Sequence, residues 1–150
     1  MRICIASDHG GFDLKAHLID HMENKFGFID NTLRKFEIND LGCNNKDSVD
    51  YPTYGKRVGL DITQGKFDCG ILICGTGIGI SIAANRFPGV RAALCYDTTT
   101  ARLSREHNDA NILALGARQT APELACEIVD VFLSTQFEGG RHQRRIDMLS

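Results

Sequence analysis

Apolar runs and helical periodicities alternate along the whole chain. Arg2 to Ser7 is an apolar run that reads as a first strand. From Gly11 to Lys25 the pattern changes to a helix, with Leu14, Leu18, Met22 and Phe26 recurring every four residues on one face. Lys35 to Leu41 reads as a second strand interrupted by Asn39 and Asp40, and Gly42 to Asp50 is polar and loop-like. A helix follows Pro52, which suits a first helical turn, and runs to about Gln64 before Gly65. Phe67 to Cys74 is a third strand, and Ile78 to Arg86 the helix after it. Beyond the Pro88-Gly89 turn, Val90 to Tyr96 is a fourth strand. Thr98 to His107 is a helix with threonines available as caps. Asn111 to Leu115 is a fifth strand, and Pro122 to Gln136 a helix with Ala125, Ile128, Val129, Phe132 and Leu133 on one face. Gly139-Gly140 breaks the chain before a basic tail, Arg141 to Ser150, read as a short helix.

Five strands alternating with helices predict an α/β fold: a Rossmann-like three-layer sandwich around a five-stranded parallel sheet, in one domain over 1–150. In such folds ligands bind where strands end at their carboxyl termini. That rule selects Asp8-His9-Gly10-Gly11, then Cys74 to Gly79, then Asp97, then Gly116 and Arg118.

Composition narrows the function. A net charge of −2 argues against a general nucleic-acid binder. No apolar run approaches membrane-spanning length, so no membrane partner is expected. Met1 leads straight into a strand pattern, without a signal peptide pattern. Six cysteines (Cys4, Cys43, Cys69, Cys74, Cys95, Cys126) form no C-x-x-C pair, so zinc-ribbon and thioredoxin-like readings fail. They read as reduced thiols of a cytoplasmic protein, five of them small buried hydrophobes.

Cys74 differs because it sits where a strand meets Gly75-Thr76-Gly77-Ile78-Gly79. Glycines admit close backbone approach, and a helix start offers unpaired N–H groups. That setting favours a thiolate and any anion developing beside it. Plain packing of a strand end is the competing reading. A dinucleotide fingerprint would need a small residue at Ile80 or Ile82, although Asp97 stands after the next strand. A phosphatase-like cysteine loop would need an arginine nearer than Arg86, and no P-loop lysine is present. Asp8-His9 offers an acid and an imidazole, or merely a helix cap and a loop residue. His107-Asn108 closes a helix, where the dipole alone favours histidine. Arg141 and Arg145 share a helical face and suit a phosphate dianion, or simply a solvated terminus. His17 and His21 are spaced for a metal but lack an acidic partner, and are expected on the solvent face.

Together these residues resemble the ribose-5-phosphate isomerase type B family, which also includes galactose-6-phosphate isomerase subunits. The marks are Ser7-Asp8-His9-Gly10, Asp50-Tyr51-Pro52, the Gly70 to Asn85 block, Leu103 to Asp109, and Glu138-Gly-Gly-Arg-His-Gln143. Residues 24–48 match poorly. The resemblance implies an aldose–ketose isomerase that uses no cofactor and no metal. By that resemblance Cys74 is the base and Thr76 with the loop N–H groups of Gly75, Gly77 and Gly79 holds the enediolate oxyanion. His107 opens the furanose, with Asp8 near the ring oxygens. Tyr51 and Asn108 contact sugar or phosphate, and His9, Arg141 and Arg145 bind phosphate, assisted by Arg118. Another branch replaces the cysteine with a glutamate at the position of Ile80, so this chain falls in the cysteine branch. The resemblance also implies a homo-oligomer, dimer or tetramer, with sites shared between subunits. Two competing functions are isomerisation of a six-carbon sugar phosphate and a noncatalytic nucleotide-binding module.

Overall fold

The computed structural model describes residues 1–26 and 36–149. Its strands are β1 (Arg2–Ser7), β2 (Glu37–Asp40), β3 (Cys69–Cys74), β4 (Ala92–Leu94) and β5 (Ile112–Gly116). Its helices are α1 (Phe12–Phe26), α2 (Tyr51–Thr63), α3 (Ile78–Ala84), α4 (Thr98–Asn108), α5 (Pro122–Ser134) and α6 (Arg141–Ile146). All strand pairs are parallel, in the order β2-β1-β3-β5-β4. This is the three-layer α/β sandwich the alternation predicts.

The layers follow from alternation along the buried strands. Ile3, Ile5, Cys69, Ile71, Ile73, Leu113 and Leu115 point to one face, where α1, α4 and α5 cover them. Cys4, Ala6, Leu72, Cys74, Ile112 and Ala114 point to the other, under α2 and α3. Each fully buried Ile or Leu contributes about 1.5–3 kcal/mol of transfer free energy. The expected apolar faces of α1 and α5 are buried, Phe26 only partly. On the α2–α3 side the helices touch closely: a Cβ on Gly59 would lie 2.7 Å from Phe87 and 3.0 Å from the Ala84 carbonyl.

Element ends depart from the pattern for local reasons. Lys35, the expected start of the second strand, lies outside the described residues. Asp8 accepts the Gly11 N–H at 3.1 Å and caps a 3₁₀ turn, His9–Gly11, so α1 begins at Phe12. The expected Val90–Tyr96 strand shortens to Ala92–Leu94. It lies at the sheet edge, and its entry is taken by side chains: Asn111 Oδ1 accepts Arg91 N–H at 2.9 Å and Asn85 Oδ1 accepts Ala92 N–H at 2.8 Å. The same Asn85 amide donates to Ala92 O at 2.9 Å, which helps end α3 short of Arg86. α4 is capped by Asp97, accepting Thr100 N–H at 2.7 Å, rather than by a threonine. α5 stops before Gln136, where the Ser134 and Thr135 hydroxyls bond back to the Asp130 and Val131 carbonyls.

All six cysteines are free and buried. Burial pushes the Cys4 and Cys69 thiols up to about 12, as expected of packing residues. His21 corrects the expectation of a solvent-facing pair: its Nε2 lies 2.9 Å from Asp130 of α5, while His17 is exposed. That contact ties α1 to α5. No helix of the described residues is long and apolar enough to cross a membrane.

Candidate active site

Because β1, β3 and β5 are sheet neighbours, the loops at their carboxyl ends meet. Asp8 N–H donates to Ile73 O at 3.1 Å, Ala117 N–H to Cys74 O at 2.9 Å, and Arg118 N–H to Gly75 O at 3.0 Å. These bonds gather three loops into one notch around the end of β3, where Cys74 stands. The Cys74 side chain turns toward the α2–α3 layer and is 4% exposed. Its Sγ accepts the Gly77 N–H at 3.1 Å.

The loop after Cys74 is shaped by what surrounds it. Gly77 has φ +77° and starts α3, and a Cβ there would lie 2.5 Å from Leu94 Cδ1 and 2.8 Å from the Leu115 carbonyl carbon. Only glycine meets both demands. The Thr76 carbonyl passes Gly116 so closely that a Cβ on Gly116 would sit 2.6 Å from it. Tyr96 Oη–H donates to that carbonyl at 3.0 Å, and the Thr76 hydroxyl accepts Ile78 N–H at 3.3 Å. The Tyr51 ring lies directly over Gly79, 2.5 Å from where a Cβ would stand. The Arg118 side chain passes over Gly75, and Gly10 abuts Gly75 from the other side. His9 Nδ1 lies 3.2 Å from both the N and the O of Val49, which hold the ring against the loop before α2. Asp8, His9, Tyr51, Cys74, Gly75, Thr76, Gly77, Gly79 and Arg118 therefore form one group.

His107, Asn108, Arg141 and Arg145 form another. α4 starts at Asp97 on the carboxyl edge of the sheet and runs back 11 residues, about 16 Å at helical rise. It ends at Asp109, in left-handed backbone at φ +44°, just before β5 begins. Arg91, which precedes β4, grips this end: its guanidinium donates to Asp109 O at 2.8 Å, Asp109 Oδ2 at 2.9 Å and Asn108 O at 2.8 Å. His107 and Asn108 thus lie at the amino edge of the sheet, opposite Cys74. α6 packs on α4 there, with the His107 and His142 rings stacked. A cavity of about 330 Å³ is lined by His107, Asn108, His142, Arg145, Ile146 and Leu149. Burial first, then His107 and Arg141, lowers the His142 imidazole below its ordinary value, with Glu138 acting oppositely.

Sequence reasoning gave no role to Asp109, Arg91, Glu138 or His142. Asp109 stood beside His107-Asn108, but its left-handed cap leaves no periodic trace. The stack joins helices more than thirty residues apart, and spacing carries no sign of it. Asp97, the acid noted beside the incomplete dinucleotide fingerprint, caps α4.

The chain matches the family model described as Ribose/Galactose Isomerase over residues 3–149. It is 45% identical over 149 residues to ribose-5-phosphate isomerase B of Escherichia coli, covering 99% of this chain and 94% of that protein. The solved ribose-5-phosphate isomerase B of Clostridium thermocellum superposes with a TM-score of 0.92 at 48% identity, covering 99% of this chain and 95% of that one. The enzyme of Mycoplasma genitalium, solved with bound ribulose-5-phosphate, gives a TM-score of 0.89 at 43% identity, with 99% and 93% covered.

Proposed function

As the chain belongs to the ribose/galactose isomerase family, we propose that it interconverts ribose 5-phosphate and ribulose 5-phosphate through an enediolate. Cys74 is the base. Its sulfur takes the proton from C2 of the opened aldose and returns it to C1, while the proton on O2 passes to O1. The observation that carries this reading is the Cys74 sulfur at the strand end where the three loops meet, already accepting the Gly77 N–H. A thiolate accepts such a bond more strongly than a thiol, because the bond is then charge-assisted. Thr76 and the glycine-loop N–H groups face the oxygens on which charge develops. Asp8 and Tyr51 hold the sugar hydroxyls. His9, assisted by Arg118, holds phosphate from the notch side.

His107 opens the furanose ring, Asn108 contacts the sugar, and Arg141 and Arg145 complete the phosphate site. These four sit across the sheet from Cys74, which supports a homo-oligomer whose sites each combine the notch of one copy with the α4–α6 edge of another. Neither group suffices alone, because proximity of base and ring-opening group is most of what such a reaction needs.

Two assays test this. Ribulose 5-phosphate formation, followed with EDTA present, should fall about 10²–10⁴-fold in Cys74→Ala. A folded Cys74→Ala that stays near the unmutated rate would remove Cys74 as base. No turnover by the unmutated chain would remove the reaction itself. Mixing inactive Cys74→Ala with inactive His107→Ala after reversible dissociation should restore up to about a quarter of full activity, because mixed pairs hold one intact site. No restoration would mean the sites are not shared.

A further inference from the structure

The His107 and His142 rings stack with centroids 4.2 Å apart and planes 7° apart. His142 is 6% exposed, whereas Arg141, Gln143, Arg144 and Arg145 beside it are exposed. A histidine therefore occupies the buried position that seats α6 on α4, where an aliphatic side chain would bury without desolvating a polar ring. The surroundings hold the ring in a defined orientation. Arg141 Nε–H donates to His142 Nε2 at 3.4 Å, and Glu138 Oε2 lies 3.6 Å from the same atom. Glu138 N–H donates to Glu106 O at 3.1 Å, tying the segment before α6 to the helical turn that carries His107.

The donor atoms of His107, Glu138 and His142 all lie within 4.8 Å, close enough to consider a metal. Stacked imidazoles, however, send their in-plane lone pairs out side by side rather than toward one point. The Arg141 guanidinium also faces the His142 nitrogen, where a cation would have to sit. The arrangement suits orienting a ring better than enclosing an ion. His107 also lines the cavity shared with Asn108 and Arg145.

We infer that His142 is a positioning residue: its buried ring fixes the His107 imidazole in the orientation that opens the sugar, and couples it to the phosphate-holding arginines of α6. The inference rests on the isomerase reading above. It explains why a flat, polar side chain stands where leucine would pack, and why two arginines flank it on one short helix.

The chemistry of the two sugars supplies the test. Ribose 5-phosphate is mainly a closed five-membered ring in water and must open before C2 can be deprotonated. Ribulose 5-phosphate cannot close that ring, because its O5 carries the phosphate. The aldehyde formed from it closes unaided after release. A loosened His107 therefore lowers kcat for the aldose, whose bound form is the closed ring, more than kcat for the ketose, while kcat/KM in the two directions stays tied by the overall equilibrium. His142→Leu keeps the slot filled but removes the flat ring, so the chain still folds. Its kcat on ribose 5-phosphate should fall about tenfold or more, within the usual range for acid–base catalysis, with a loss on ribulose 5-phosphate at least about fivefold smaller. His142→Phe restores a ring and should recover most of the aldose rate. Equal losses of kcat at saturation in both directions in folded His142→Leu, or a folded His142→Phe as slow as His142→Leu, would overturn the inference alone. An unmutated chain that converts neither sugar phosphate would overturn the isomerase reading and this inference with it.

Discussion

Replacing Gly77 by alanine tests whether the notch is built by steric necessity. Gly77 adopts φ +77°. Left-handed backbone costs a residue with a Cβ about 1–2 kcal/mol. The new methyl would also stand 2.5 Å from Leu94 Cδ1, 2.8 Å from Leu115 C and 3.0 Å from Leu115 O. Leu94 can turn aside. The Leu115 backbone cannot, because β5 is held by β3 on one side and β4 on the other. Overpacking of this kind costs about 1–3 kcal/mol more. Gly89 supplies the control, with φ +76° and nothing within 4 Å of its would-be Cβ. Gly89→Ala should therefore show the backbone cost alone. In thermal melts followed by circular dichroism at one chain concentration, Gly77→Ala should fall by about 5–15 °C and Gly89→Ala by about 2–8 °C. Gly77→Ala should also lose isomerase activity, because the N–H facing the Cys74 sulfur moves with the loop. Equal melting losses in the two variants would refute the claim that Leu115 walls the loop in.

Gly79→Ala should behave differently, because its clash is with the Tyr51 ring, which belongs to a side chain 40% exposed and free to swing out. Its melting temperature should move by the equivalent of about 1 kcal/mol or less while KM for the sugar phosphate rises; a lower melt with unchanged KM would contradict this. Asp61 is 2% exposed and bonded to Lys66 at 2.7 Å and Arg57 at 2.9 Å. Burial alone would raise its carboxyl, but these two bonds outweigh it and hold the group below its usual value. Its stabilisation is therefore complete above the unfolded value near about 4 and is lost as pH falls through the lower folded value. Asp61→Asn should cost about 2 kcal/mol at pH 7 by urea unfolding and progressively less below about pH 4; a penalty that grows on acidification would reverse the assignment. Cys4 and Cys69, with thiols pushed up to about 12, should stay unalkylated by iodoacetamide at pH 8 in the native protein, and mass spectrometry finding either one rapidly modified would show that their packing opens.

The central sheet was legible because burial on both faces writes itself into composition. β1 has its expected bounds, and the end of β3 at Cys74 is where the glycine run places it. β4 was less legible, since its apolar flanks, Val90 and Cys95, are buried without lying in the strand. Helix starts depend on one hydrogen bond: Asp8 takes it as a cap, as the sequence allowed, and Asp97 takes it in place of the neighbouring threonines. In the candidate site, everything adjacent to strand ends could be read in advance, because topology brings such loops together. The position of His107 could not, because it depends on the direction and length of α4. His142 stood in a run of arginines that looks solvated on paper; its burial comes from a helix pairing with no local signal.

The sheet order has a mechanical consequence. The Cys74 sulfur stands at the end of β3, a strand buried at all six positions and flanked on both sides. The His107 edge is the far end of α4, gripped by Arg91 at the entry to the edge strand β4, and is finished by a six-residue helix. Short elements with few buried side chains open at lower free energy than central strands, and His142 is the only buried residue of α6. Under the proposed division of labour, the rigid half of the site outlasts the other under stress. Inactivation by urea should then set in before the sheet gives way, and a protein still fully folded at its centre could already have stopped working.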